Sequence, residues 1–183
     1  MKAVICTKYG PPEVLQIREI QQPEPEDNQV LIQIQATSVH RGDTRIRGLD
    51  LPGPDWQKLP ARLALGIRKP RNSILGMELA GIIAETGAAV TRWKPGDRVF
   101  ASTVWSGFGS YAEYKTMAED GVLTTMPSNL SFEETAVIPS GGITTLGIIK
   151  LADIQQGDQV LIYGASGSIG TFAVQMARIK KAE

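Results

Sequence analysis

The sequence predicts a mainly β domain followed by the opening of an α/β domain. Three observations carry that reading. Short Val/Ile/Leu-rich runs separated by Gly and Pro turns fill the first two thirds of the chain. A helix-capping signature takes over after residue 126. The last stretch, VLIYGASGSIGTFAVQMARIKKAE, reads as a buried strand, a glycine loop and a helix. The implied division is a domain of residues 1–125 and a segment of residues 126–183.

The elements follow in order. Ala3 to Thr7 and Leu15 to Ile20 are strand-like runs, separated by the turn-former Gly10-Pro11-Pro12. Pro23 and Pro25, with the acidic residues among them, form a solvated connection. Beyond it, Val30, Ile32 and Ile34 alternate with Leu31, Gln33 and Gln35, the pattern of a half-buried strand. Leu79 to Ala84 is a further apolar run, ended by Gly87. Lys94-Pro-Gly-Asp-Arg-Val99 is a tight turn feeding a strand, and Gln156-Gly-Asp-Gln-Val160 repeats the device before the last strand. Ser131-Phe-Glu-Glu134 is a capping box, predicting a short helix that ends before Pro139. A second helix is expected from Ser140-Gly-Gly-Ile-Thr-Thr145 to near Ala152. In the final helix Ile169, Phe172, Ala173, Met176 and Ala177 share one apolar face, with Gln175 and Arg178 turned away.

Composition narrows the classes of function. Of 183 residues, 19 are basic and 19 acidic, a zero balance without the electrostatic footprint of a nucleic-acid binder. Cys6 is the only cysteine, which excludes an internal disulfide and a multi-cysteine zinc site. No apolar stretch approaches the ~20 residues a spanning helix needs, and the four-residue apolar run of the start MKAVICTKYG falls far short of a signal-peptide core. A cytoplasmic protein is expected, with neither nucleic acid nor membrane as partner.

The glycine loop suggests chemistry. Ala165-Ser166-Gly167-Ser168-Ile169-Gly170 follows A-x-G-x-x-G, with alanine in the first glycine slot. A small residue permits a tight turn, Gly167 lets a pyrophosphate approach the main chain, and Gly170 lets helix pack on strand. The helix N-terminus adds free amides and partial positive charge. The bland alternative is a plain strand-to-helix turn. The strand before it and the amphipathic helix after it favour the dinucleotide reading.

Several motifs in one order are more specific than the loop. MKAVICTKYGPPEVLQIREI, ATSVHRGDTRIRG, ILGMELAGIIAETG, KPGDRVFAS, GSYAEY and VIPSGGITTLGII precede VLIYGASGSIG. Together they resemble the medium-chain dehydrogenase/reductases, on the zinc-independent, quinone-oxidoreductase-like branch. The resemblance implies a GroES-like β-barrel catalytic domain and the first βα unit of a Rossmann domain, matching the N-terminal half of such proteins. It implies hydride transfer from NADP(H), with NAD(H) possible, to a small-molecule quinone or enone, and a homodimer for a full-length protein. The residue that separates the two cofactors lies some 20 residues beyond the motif, past Glu183. Other readings are a non-catalytic binding or structural protein on the same barrel, or a zinc-free enzyme resembling alcohol dehydrogenases. The intact phosphate loop argues against a pure barrel.

Zinc-dependent relatives place metal ligands at positions that fall here on His40, Met77 and Ser140. A thioether is a poor zinc ligand and a neutral hydroxyl an unusual one, so one imidazole does not make a site. No metal is therefore expected. Glu78, kept beside Met77, is read as structural or supporting.

The resemblance implies His40, Asp43 and Thr144 as catalytic residues, with Thr144 also beside the cofactor and Ala165 to Gly170 on its phosphates. Each has a bland reading. His40 is either a surface loop histidine or a donor to substrate. Asp43 is either an active-site neighbour or a carboxylate capping the next turn. Thr144 is either near the nicotinamide or a cap at its helix start, with Gly141 and Gly142 allowing close approach. Arg47 is expected to pair with a carboxylate. Phe108, Tyr111 and Tyr114 are read as packing, and Cys6 as an inert buried thiol. Leu51 to Ser73 holds Lys58, Arg62, Arg68, Lys69 and Arg71 beside Trp56, Leu59 and Leu63: a lid, a 2′-phosphate contact or, more safely, a solvated elaboration.

These residues are expected to be a piece of a longer protein, or to carry a poorly ordered, swapped or aggregation-prone tail. A strand and one helix leave the adenine and ribose pockets unbuilt, so NADPH should bind this chain no tighter than about 100 μM.

Overall fold

A computed structural model describes residues 1–50, 52–54, 56 and 58–183. The chain divides into two compact units, Met1–Val137 and Ile138–Glu183. This division falls later than residue 125 because the capped helix after it packs on the sheet.

In the first unit, β1 (Lys2–Cys6) and β2 (Leu15–Glu19) pair antiparallel, with Lys2 opposite Glu19 and Cys6 opposite Leu15. The main sheet holds β3 (Gln29–Thr37), β4 (Glu78–Thr86), β5 (Arg98–Ser102), β6 (Tyr114–Ala118) and β7 (Leu123–Thr125), in the order β6-β3-β4-β5-β7. Two short helices, α1 (Arg41–Gly48) and α2 (Lys58–Leu65), lie between β3 and β4 in the chain, and α3 (Phe132–Ala136) follows β7. Val30, Ile32, Leu79, Ile83, Val99, Ala101, Met117 and Leu123 form the main core, and α3 packs against β3, β4 and β5. A smaller cluster of Cys6, Val14, Ile46 and Leu75 joins β1 to α1. The Cys6 thiol is buried, which pushes its pKa up, as an inert thiol requires.

The alternation expected in β3 holds only in part, because Leu31 is buried together with Val30 and Ile32. The pairing with β4 shifts between Leu31 and Ile32 and again between Ile34 and Ala36, and such shifts break the period of two. Gly81 on β4 shows how tightly these strands meet: a Cβ there would strike the Gln33 carbonyl of β3.

Lys115 on β6 stands opposite Ile32, and its Nζ donates to the Ser106 carbonyl at 3.1 Å. Burial pulls its pKa down to about 8. Between that value and the ordinary one near 10.4 the unfolded chain binds the extra proton, so stability rises with pH across the window. The urea midpoint should therefore climb from pH 8 toward pH 10, and Lys115→Met should flatten the climb while raising stability at pH 7. A parent and variant with parallel pH profiles would show that burial does not perturb this amine.

The second unit pairs α4 (Ile138–Ala152) with α5 (Ser168–Ile179). The capped helix α3 ends before Pro139, as expected, and Pro139 itself sits in the first turn of α4, where its missing N–H is harmless, so the second helix starts ahead of Ser140. Gly141 is a point of close approach between the two helices, since a Cβ would meet the Ser168 hydroxyl and the Phe172 ring. Ala173 and Ala177 are buried as expected, whereas Ile169 stays partly exposed. The expected strand at Val160–Tyr163 is not formed: the segment joins no ladder among the described residues, and Leu161 and Tyr163 are exposed. A buried parallel strand needs neighbours on both edges, and here Val160 N–H donates only to the Glu183 carbonyl, at 2.7 Å.

Candidate functional site

His40 follows the end of β3 and caps α1. Its Nδ1 accepts from the Gly42 N–H at 3.0 Å, while its own backbone N–H donates to Asp43 Oδ2 at 3.1 Å, closing a reciprocal capping box. An accepting Nδ1 places the proton of the neutral ring on Nε2, so the outward edge of His40 is a donor. His40 as a whole is half-buried.

Asp43 is 3% exposed and fully engaged. Oδ1 accepts from the Gly76 N–H at 3.0 Å, and Oδ2 accepts from Tyr111 O–H at 3.0 Å as well as from His40 N–H. This one carboxylate joins α1, the loop before β4 and the segment before β6. Burial raises its pKa, opposed by the Tyr111 hydroxyl and the two backbone amides. Burial and the neighbouring Asp43 charge also raise the Tyr111 phenol. A raised carboxylate in the folded state means the stability Asp43 contributes is fullest at low pH and falls as pH rises past the ordinary carboxylate value.

Polar groups buttress this corner. Thr103 Oγ1 donates to the Gly76 carbonyl at 2.7 Å, and Thr37 Oγ1 donates to the Glu78 carbonyl at 2.7 Å. Glu78 is buried and its carboxylate accepts from the Ser38 hydroxyl, which fits the supporting role expected of it. Met77 packs onto Gly42, so its thioether serves the packing of the α1 N-terminus. Arg47, expected to pair with a carboxylate, instead donates through Nε to the Gly10 carbonyl at 3.2 Å. An apolar cleft of about 560 Å³ opens beside this corner, with Leu15, Ile17, Ile34 and Val39 on its walls and Asp43, Thr44 and Tyr111 among its lining. His40 does not line it.

In the second unit, Gly164 takes φ +80°, and its carbonyl accepts from Gly167 N–H at 3.1 Å. The left-handed turn is therefore supplied by Gly164, one residue before the Ala165 slot of the motif. Gly167 precedes the first turn of α5 and has no side-chain cap. A Cβ at Gly167 would find its nearest neighbour at 3.5 Å, ordinary contact, whereas a Cβ at Gly170 would overlap the Gly164 carbonyl and lie 2.6 Å from Ala165 Cα. The two glycines differ: Gly170 is required by the fold of the loop, whereas at Gly167, at the N-terminus of α5, the loop itself would accommodate a side chain. Ala165, Ser166, Ser168 and Ile169 complete an exposed loop and helix start.

Thr144 is not at a helix start. It lies in the second turn of α4, exposed, with Oγ1 donating to the Ser140 carbonyl at 2.8 Å. Its neighbour Thr145, which the sequence reading passed over, is buried and donates to the Ile169 carbonyl at 3.0 Å, tying α4 to the start of α5. Tyr111, read as packing, proves to be a partner of Asp43. The phenol and carboxylate are 68 residues apart, and no local signal links them.

Residues 26–128 match the family model of the alcohol dehydrogenase GroES-like domain. The chain belongs to that family. It falls on the quinone-oxidoreductase-like side of the medium-chain dehydrogenase/reductases. It is 35% identical over 181 residues to the quinone oxidoreductase of Lama guanicoe and 36% identical to that of Homo sapiens, covering 97% of this chain in both and 49% and 50% of theirs. Among solved structures, the quinone oxidoreductase from Coxiella burnetii superposes with a TM-score of 0.83 at 32% identity, and all of this chain covers 54% of it. The Escherichia coli quinone oxidoreductase complexed with NADPH gives 0.81 at 28% identity, with 51% of that chain covered. The chain thus spans about half the length of the relatives it matches. The mainly β GroES-like unit and the partial Rossmann-like region are the architecture of that half. No described helix is long and apolar enough to cross a membrane.

Proposed function

We propose that this chain supplies the catalytic barrel and the phosphate loop of an NAD(P)H-dependent reductase of conjugated carbonyls, quinones or enones, that works without zinc. The observation that carries the reading is the contrast within the loop: glycine at 170 is dictated by the protein's own backbone, while glycine at 167 stands at a helix N-terminus where the loop itself would accommodate a side chain. A plain strand-to-helix turn accounts for the first and not for the second. The Escherichia coli relative, whose structure is a complex with NADPH, supports the choice of cofactor.

The main-chain amides of Ser168, Ile169 and Gly170 would hold the pyrophosphate, with the partial positive charge of α5 behind them. NADPH, the preferred cofactor, would supply a hydride to the β-carbon of the acceptor. His40 Nε2–H would donate to the oxygen on which the resulting negative charge collects. Asp43 would act as a positioning residue, fixing the His40 backbone rather than touching substrate. Thr144 would face the nicotinamide ring. Zinc does not fit the residues at hand: His40 Nδ1 is occupied by Gly42 N–H, Met77 offers a thioether and Ser140 a hydroxyl.

The test is a chain extended after Glu183 by the second half of the human relative, assayed with a quinone and an enone against NADPH and NADH. Turnover is expected with NADPH favoured and unchanged by a chelator. Activity lost to the chelator and restored by zinc would overturn the metal-free reading, and a well-folded chimera that binds neither nucleotide would overturn the reductase reading.

A further inference from the structure

We infer that the face formed by α2 and the loop after it docks peripherally on an anionic lipid bilayer. This stands independently of the reductase reading. Leu59, Leu63 and Ile67 lie four residues apart, and with Trp56 they are all exposed, at 67%, 56%, 65% and 69%. Ala61 and Leu65 turn the other way, and Leu65 packs on the Cys6–Leu75 cluster, so the helix is anchored and its second apolar stripe is left in solvent. Exposed apolar stripes of this kind mark interaction surfaces.

Charge selects the occupant. The whole chain is neutral, yet the sequence from Trp56 to Ser73 holds five basic residues and no aspartate or glutamate. Arg62, Arg68, Lys69 and Arg71 are exposed beside the stripe. The loop is a built one. Gly66 takes φ +125°, and its carbonyl accepts from Tyr9 O–H at 2.8 Å. Arg62 donates to the Ile67 carbonyl at 2.8 Å, and Arg71 donates to the Leu63 carbonyl at 2.7 Å. Leu63, Ile67, Arg68, Lys69 and Arg71 line a concavity of about 370 Å³. An apolar stripe with an indole at one end and a cationic hollow at the other matches the boundary of an anionic membrane: Trp and Leu settle among headgroups and upper acyl chains while Arg and Lys meet lipid phosphates. Such docking needs no spanning helix, so it revises the expectation that no membrane is a partner.

The test is co-sedimentation of this 183-residue chain with vesicles of phosphatidylcholine alone, and with vesicles in which phosphatidylserine replaces part of it. Binding is expected to the second kind only, falling with added salt. Each basic residue near an anionic surface is worth roughly fivefold, so Arg68→Ala with Lys69→Ala should lower partitioning roughly 25-fold. Leu63→Ser with Ile67→Ser, both at exposed positions, should lower it comparably with an unchanged circular-dichroism spectrum. Three results would overturn the inference: no partitioning onto anionic vesicles; equal partitioning onto neutral ones; or displacement by excess inorganic phosphate at constant ionic strength, which would identify a free-phosphate site. So would a dimer in sedimentation velocity that Leu63→Ser with Ile67→Ser dissolves, because a second copy would then cover this face.

Discussion

Alanine at position 43 is expected to lower the stability of the first unit by about 3–5 kcal/mol, a large share of the 5–15 kcal/mol typical of a domain. The Asp43 carboxylate is the acceptor for Gly76 N–H, His40 N–H and Tyr111 O–H, and alanine leaves all three donors in a site too enclosed to rehydrate them. Asp43→Asn keeps the shape but turns an NH₂ toward one set of donors, so its cost should be about 1–3 kcal/mol. Tyr111→Phe removes a single donor and should cost about 1 kcal/mol. Urea titration of the three variants checks the ordering. An alanine variant within 1 kcal/mol of the parent would mean that the carboxylate does not join α1 to the β4 and β6 approaches.

That network marks where sequence reading stops. Asp43 was legible as a capping carboxylate, because its three-residue offset from His40 is local, and the structure gives it that role at the α1 N-terminus. Its links to Gly76 and Tyr111 span 33 and 68 residues, and only the folded sheet brings them together. The Ser131–Glu134 capping box was legible for the same local reason. Pro139 was legible as lying past the end of the short helix, but not as part of the next helix's first turn, because proline punctuates helices at both ends and only its neighbours decide which. The apolar run Val160–Tyr163 reads as a strand by composition, yet a strand exists only through its partners, and none pairs with it among the described residues. Thr144 and Thr145 are adjacent and chemically alike; the phase of α4 turns one to solvent and buries the other, which spacing alone did not separate.

Gly167 and Gly170 should answer substitution in opposite ways, although the motif treats them alike. Gly170→Ala places a methyl against the Gly164 carbonyl and Ala165 Cα, which are backbone atoms and cannot swing aside. The loop must shift, at about 3 kcal/mol of the second unit's stability. At Gly167 the backbone, φ −80° and ψ 168°, suits any residue, and a methyl meets nothing closer than 3.5 Å. Gly167→Ala should therefore cost no more than about 1 kcal/mol, and Gly167→Ser, a better helix cap than glycine, should stabilise α5 slightly. Both side chains would stand at the start of α5, where the proposed pyrophosphate would meet the main chain. In the extended chain they should weaken NADPH binding by at least about tenfold, 1.4 kcal/mol on the affinity scale, while the thermal midpoint holds. Thermal melts read beside calorimetric NADPH titrations separate the two effects. If Gly167→Ser binds NADPH as the parent does, this glycine is not where the cofactor sits, and the dinucleotide reading loses the observation it stands on.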